Sequence, residues 1–374
     1  MFQYYQPTQI YFGENRLNEL GQIAVRYGTR CLMVTTPDQP LRPLYERIMT
    51  LLQNQGITVF HFDAVQPNPT VEIVEAGFRL LQQNPVDFVL AVGGGSSIDT
   101  AKSIAFTNGQ EKIDWDFLFQ TYSSPYENYP AYSDTMLPLV TVPTTSGTGS
   151  QVTQAAVISR GDEKLTFYHP ALFSKVCIVD PTLMLTLPTR MTAMTGFDAF
   201  THAFESYINV HASPYSEMDS LRAMELIVQN LPKALKDPSN LEYRTQLALA
   251  DTLAGRALSN SGAAAPHPLS EIIGGLTHMP HGQALAVVFP AFVAQMSNKY
   301  PERFASVARI FDPHATELYP VICDFLHEIG LYQNLHDLGV SEADFASMLA
   351  CPVLDFLPFG TRAELEQILK DSYV

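Results

Sequence analysis

The run DFVLAVGGGSSIDTAKSIAF, residues 87–106, limits the fold more than any other stretch of this chain. An apolar strand pattern ends on Gly93, Gly94 and Gly95, and a helical pattern opens at Ser96. Three consecutive glycines leave the turn without a Cβ, so backbone N–H groups can approach a ligand closely. The helix start adds its positive dipole end, and together they make an anion site suited to a pyrophosphate. Gly94, Gly95 and Ser96 are the candidate contacts. Ser96 and Asp99 have the spacing of an N-cap and its N3 partner, a capping-box-like pair. The pattern is not GxGxxG and its strand is the third along the chain, so a plain serine-capped βα turn is the competing reading.

Neighbouring segments have the same texture. Residues 31–35 (CLMVT), 58–62 (TVFHF), 137–142 and 176–179 (VCIV) read as strands. Residues 44–55 and 71–83 read as amphipathic helices. Strands alternating with such helices indicate βαβ units and a parallel sheet, whose ligands sit beyond the carboxyl ends of the strands. After Pro188 the β pattern disappears, and residues 192–207, 216–230, 244–259 and 284–296 carry helical periodicity. The expected fold class is α/β plus all-α. A Rossmann-like parallel-sheet nucleotide-binding domain spans 1–185, and an all-helical metal-binding domain spans 186–374. The crease between two such halves is a natural place for a site.

Charge and cysteine usage remove several function classes. With 22 Lys and Arg against 38 Asp and Glu, the net charge of −16 disfavours nucleic acid and anionic membrane surfaces as partners. The four cysteines are far apart and form no CxxC pair, which excludes thiolate zinc sites and fits a reducing compartment. The N-terminus lacks the features of a signal peptide, and no apolar stretch reaches the ~18 residues of a membrane span. A cytoplasmic location is expected.

A second loop, VPTTSGTGSQVTQ over residues 142–154, also follows a strand. It gathers Thr144, Thr145, Ser146, Thr148 and Ser150 around Gly147 and Gly149. Such hydroxyls and freed backbone donors suit an amide, ribose or phosphate of a cofactor. A solvated hydroxyl-rich turn reads the same way in isolation, but two glycine-bearing loops at strand ends support each other.

Metal-ligand chemistry is concentrated in the second half. In TGFDAFTHAFESY, Asp198 and His202 are four apart and share one helix face. His267 and His281 are 14 apart, about 21 Å along an unbroken helix, too far for one ion. Gly274-Gly275 and Pro280 are expected to interrupt that helix and bring the two rings together. His278, in the same turn, is a spare or substrate-side candidate. Three imidazoles and one carboxylate suit a borderline ion such as Fe²⁺ or Zn²⁺, and leave room for Lewis-acid catalysis. Separate structural histidines are the alternative. From residue 257 to 298 there is no Lys or Arg, so a neutral substrate is inferred.

Together these residues resemble the iron-containing (group III) alcohol dehydrogenase family. The resemblance rests on QPTQIYFGENRLNELG, PNPT at 67–70, GGGSSIDTAK, PTTSGTGSQVT, GFDAFTHAFESY, and His267 with the later Pro280-His281-Gly282, and it covers nearly the whole chain. It implies the two-domain, dehydroquinate synthase-like architecture and a site in the cleft between the domains. It implies Asp198, His202, His267 and His281 as metal ligands. It places Gly94, Gly95, Ser96, Thr144, Thr145 and Lys164 at cofactor-contact positions, and implies a homodimer formed through the N-terminal strand. Two positions depart from many relatives. Glu271 stands where a further histidine follows the third ligand, which leaves Glu271 or His278 as proton relay. Thr36 stands where NAD-preferring relatives often carry Asp, with Asp38, Arg42 and Arg47 nearby, so NAD and NADP both stay open.

The function expected is reversible hydride transfer between NAD or NADP and a small neutral primary alcohol or aldehyde, with a metal polarising the substrate oxygen. A dehydroquinate synthase-like lyase using NAD transiently, or a non-catalytic metal- or nucleotide-binding protein, are the alternatives.

Overall fold

The computed structural model describes residues 1–130, 132–357 and 359–374. They fall into two compact units. One comprises Tyr5–Thr145 and Gly149–Met184; the other comprises Met1–Tyr4, Ser146–Thr148 and Leu185–Val374.

The first unit is a six-stranded, wholly parallel sheet in the order β1-β8-β5-β4-β2-β3. Its strands are β1 (Gln9–Phe12), β2 (Arg30–Val34), β3 (Thr58–Phe62), β4 (Phe88–Gly93), β5 (Leu139–Pro143) and β8 (Val176–Val179). An antiparallel hairpin of β6 (Ala155–Arg160) and β7 (Glu163–Tyr168) stands apart from it. The helices are α1 (Leu20–Ala24), α2 (Arg42–Gln53), α3 (Val71–Gln83), α4 (Gly95–Phe106) and α5 (Trp115–Thr121). Every residue of β4 and β5 is buried, as central parallel strands covered on both faces require. One face packs Val89, Ala91, Ile98, Ile104 and Phe106 together; the other packs Leu20, Ile48, Leu52, Leu90 and Val142. β2 has β3 on one side and β4 on the other, so the direction of winding reverses there. That reversal marks the crevice beyond the ends of β2 and β4 as the ligand position of such a sheet.

The second unit is helical: α6 (Thr189–Ile208), α7 (Pro214–Lys236), α8 (Leu241–Ser261), α9 (Pro266–Thr277), α10 (His281–Met296), α11 (Pro301–Phe311), α12 (Leu318–Glu328), α13 (Glu342–Leu349) and α14 (Arg362–Asp371). Phe197, Phe200, Phe204, Phe289 and Phe292 are fully buried and tie α6 to α10, each ring contributing about 1.5–3 kcal/mol by burial. No helix among the described residues is long and apolar enough to cross a membrane.

The structure corrects three sequence expectations. β1 adds a strand at the start, so the glycine turn follows the fourth strand of the chain, and the β6–β7 hairpin adds two more beyond it. Gly94 is the N-cap of α4 and no side chain caps it, so Ser96 and Asp99 do not form the expected pair. Asp99 is drawn away by Ser150 Oγ, which donates to its Oδ1 at 2.6 Å, and by the Val157 amide at 3.1 Å. Gly274 and Gly275 do not break α9, because their backbone hydrogen bonding continues to Thr277. The break comes later, where His278 takes a left-handed conformation (φ 56°) and Pro280 opens α10.

Candidate functional site

The two glycine-bearing loops leave adjacent strands in register, Gly93 beside Pro143. Gly93 has φ 147°, and a Cβ there would lie 2.4 Å from Ser97 Oγ, so only glycine fits. Its carbonyl accepts the Thr144 amide at 3.0 Å. A Cβ on Gly94 would come within 3.1 Å of Thr145 Oγ1, so the turns touch. The first amides of α4, which begins at Gly95 and Ser96, have no partner within the helix and make a donor cluster. Asp99 and Lys102 form a buried pair one turn deeper, with Nζ 3.8 Å from Oδ1. Lys164 lies on β7 opposite Ser159, half-buried, and Ser146 is buried in the stretch belonging to the helical unit.

Thr36 follows β2 at the winding reversal. Its hydroxyl donates to Asp38 Oδ2 at 2.8 Å and lies 3.0 Å from Tyr45 Oη. Thr36, Arg42, Tyr45, Glu46, His61 and Asp63 line a cavity of about 240 Å³.

The metal-type residues lie wholly in the helical unit. Asp198 and His202 share the inner face of α6; His267 opens α9; His281 opens α10. The reversal at His278–Pro280 is what returns His281 to His267, with ring centroids 5.3 Å apart. Asp198 Oδ1 stands 3.6 Å from His202 Nε2, 3.4 Å from His267 Nε2 and 3.7 Å from His281 Nε2. A tetrahedral ion with bonds of about 2.1 Å sets its ligand atoms about 3.4 Å apart, close to each of these distances from Asp198 Oδ1. The set whose donor atoms all lie within 4.8 Å of one another is Asp198, His267 and His281, and His202 falls outside it. Among the described residues, Asp198 Oδ1 and His267 Nε2 are buried without a hydrogen-bond partner, a costly state unless an ion satisfies both.

Each ring is held by its other nitrogen. His202 Nδ1 donates to the Gly147 carbonyl at 3.1 Å, His267 Nδ1 donates to Glu205 Oε1 at 2.6 Å, and His281 Nδ1 lies 3.3 Å from Ser270 Oγ. All three Nε2 atoms thereby face Asp198 Oδ1. Burial holds the His202 imidazole down to about 4. Burial alone would raise the Asp198 carboxyl, but the surrounding imidazoles bring it down to about 2. Burial opposes charge on His267 too, yet the Glu205 and Asp198 carboxylates carry it up to about 10.

The two relay candidates lie differently. Glu271 is one turn beyond His267 on α9, half-buried. His278 is exposed and lines a cavity of about 430 Å³ with Arg190, Met279, Gln283 and Asp344, away from the four converging residues. Glu205 escaped the sequence reading. The available signal was its position seven residues after Asp198 and three after His202, on the same helix face.

Two family profiles match the chain. The profile described as Iron-containing alcohol dehydrogenase covers residues 7–181, and that described as Fe-containing alcohol dehydrogenase family, C-terminal, covers 192–373. The 1,3-propanediol dehydrogenase of Citrobacter freundii is 33% identical over 100% of this chain and 99% of its own length. Among solved structures, a 1,3-propanediol oxidoreductase superposes with a TM-score of 0.90 at 31% identity, covering 100% of both chains. The NADH-dependent butanol dehydrogenase A of Thermotoga maritima superposes with a TM-score of 0.89 at 26% identity, covering 100% of this chain and 99% of that one.

Proposed function

The chain belongs to the iron-containing alcohol dehydrogenase family, and from that premise we propose that Asp198, His202, His267 and His281 hold its divalent ion. It is an oxidoreductase that transfers hydride between NAD(H) and an alcohol or the matching aldehyde. Family membership sets aside the lyase and the non-catalytic readings. The observation that carries the ligand assignment is the set of three Nε2 atoms at 3.4–3.7 Å around the orphaned Asp198 Oδ1.

When bound, divalent iron supplies a Lewis acid to the substrate oxygen, and the nicotinamide supplies the hydride acceptor. The chain's own residues do the rest. Gly94, Gly95 and Ser96 offer backbone donors for the pyrophosphate, and Thr144, Thr145 and Ser146 offer hydroxyls to the coenzyme. Lys164 is assigned a coenzyme contact on family likeness. Asp99 anchors the second loop from α4 through Ser150. Glu271, on the His267 face of α9, receives the substrate proton at its carboxylate; His278 faces a cavity that none of the four ligands lines.

Coenzyme choice follows from Thr36. Asp38 already takes its hydroxyl, and Glu46 and Asp63 line the adjoining cavity against a single cation, Arg42. That balance favours the free ribose of NAD over the 2′-phosphate of NADP. The absence of Lys and Arg from 257 to 298 favours a neutral substrate, and the relatives named for propanediol and butanol point to small aliphatic primary alcohols. β1 is the terminal strand of its sheet, and its outer edge supports a homodimer. The four cysteines form no disulfide, in keeping with the cytoplasm.

Anaerobic loading with Fe²⁺ or Zn²⁺, followed by NADH production from a panel of C2–C4 alcohols and diols, tests the reading. His267→Ala is expected to lose both bound metal and turnover. Full metal content with full turnover in that variant would defeat the assignment.

A further inference from the structure

Glu205 is completely buried on α6, and among the described residues no Lys or Arg pairs with it. A buried carboxylate without a cation is costly, so its three donors matter. Oε1 accepts from His267 Nδ1 at 2.6 Å and from the His267 amide at 3.1 Å, and Oε2 accepts from the Ala264 amide. These donors lie at the start of α9, whose N-cap, Ala265, has no capping side chain. Helix starts carry amides without intrahelical partners, and Glu205, from the neighbouring helix, satisfies the His267 amide in that first turn and the Ala264 amide just before the N-cap. One carboxylate therefore anchors the α9 start and fixes the ring that α9 carries.

His202 Nδ1 donates to a backbone carbonyl and His281 Nδ1 lies beside a hydroxyl, whereas His267 Nδ1 donates to a carboxylate. Charge-assisted hydrogen bonds are shorter and about twice as strong as neutral ones, and a carboxylate partner raises the basicity of a ligating imidazole. Asp198, His202 and Glu205 lie on one stripe of α6, so a single helix presents a ligand, a second ligand and the support of a third.

We propose that Glu205 is a positioning residue that fixes His267 in its Nδ1–H form and orientation, and thereby sets how tightly the chain holds a divalent cation. The proposal rests on the ligand assignment above, and its test separates the two. Co²⁺ serves as probe, because its visible absorption reports ligand number and geometry while titration gives affinity. Glu205→Gln, His267→Ala and the double variant are compared with the parent chain, with far-UV circular dichroism of each metal-free protein as the folding control.

Glu205→Gln is expected to weaken Co²⁺ binding ~10–100-fold and shift its spectrum, and to add no further loss in the His267→Ala background. Unchanged affinity in Glu205→Gln, or losses that multiply in the double variant, would overturn the proposal. Unchanged affinity in His267→Ala alone would instead defeat the ligand assignment. If Glu205→Gln does not fold, Glu205→Asp carries the same cycle. It retains the charge but shortens the reach, so an intermediate loss confined to the His267 background supports the proposal, and parental affinity refutes it.

Discussion

Lys102 Nζ donates to the Ala155 carbonyl at 2.6 Å and to Thr153 Oγ1 at 3.1 Å while standing 3.8 Å from Asp99 Oδ1. The amine is fully buried, and burial holds it down to about 8 despite Asp99, against 10.5 for an exposed lysine. Below pH 8 it is charged in both folded and unfolded chains, and the penalty of burying that charge is fully present. Between about 8 and 10.5 the unfolded chain binds more protons, so this group makes stability rise with pH across that window. The rise is at most about 3 kcal/mol. Urea unfolding at pH 8 and pH 10 should show it in the parent and not in Lys102→Met, and an identical pH response in both would contradict it.

Asp198→Asn keeps the shape of the proposed central ligand and removes its charge. Because all three Nε2 atoms face Asp198 Oδ1 at 3.4–3.7 Å, metal affinity should fall further than the ~10–100-fold typical of a supporting residue. Metal content after gel filtration and NADH-linked turnover should fall together.

Gly147 leaves no room for a methyl group, since a Cβ would lie 2.6 Å from Thr195 Cβ and 2.8 Å from the Thr195 carbonyl. Gly147→Ala should push the loop off α6 and loosen the bond from His202 Nδ1 to the Gly147 carbonyl. The expected cost is ~1–3 kcal/mol of stability together with weaker metal retention. A variant that loses neither in thermal melting and metal titration would show that the contact yields.

Asp38→Ser removes the carboxylate that holds the Thr36 hydroxyl. The ratio of kcat/KM for NADP to that for NAD should rise ~10-fold, or about 1.4 kcal/mol. An unchanged ratio would place coenzyme discrimination elsewhere.

Glu271→Gln should lower kcat and alter its pH profile, because proton transfer by a placed carboxylate contributes ~100-fold or more. His278→Ala should leave that profile unchanged. The reverse pattern would exchange their roles.

How much of this was legible in the chain differs by element. β3 and α3 match their expected ranges, 58–62 and 71–83, because β-branched or aromatic content and clean 3.6 periodicity coincide with clear boundaries. Thr70, whose side chain accepts the Ile73 amide, marks the start of α3 as an N-cap should. β1 is announced only by the resemblance and not by its own residues, because QIYF is four residues long and largely half-exposed, too short for alternation to register. The β6–β7 hairpin lies outside the expected strands although Gly161-Asp162 separates two alternating runs. In the site, Asp198 and His202 were readable because four residues make one helical turn. His281 needed a chain reversal that the sequence marked with glycines and a proline but located imprecisely; the left-handed residue is His278. The role of Asp99 depended on Ser150, 51 residues away, and that of Glu205 on His267, 62 away, and no local pattern encodes such partners.

The three imidazoles do not share their solvent exposure. The His202 and His267 side chains are 8% and 9% exposed, whereas that of His281 is 30% exposed. Water and small chelators therefore reach the first turn of α10 before they reach α6 or α9. Stripping of a seated ion would begin with release of that one ring. On the proposed ligand assignment, exposure bears on how fast an ion leaves, and the affinity belongs to the whole set.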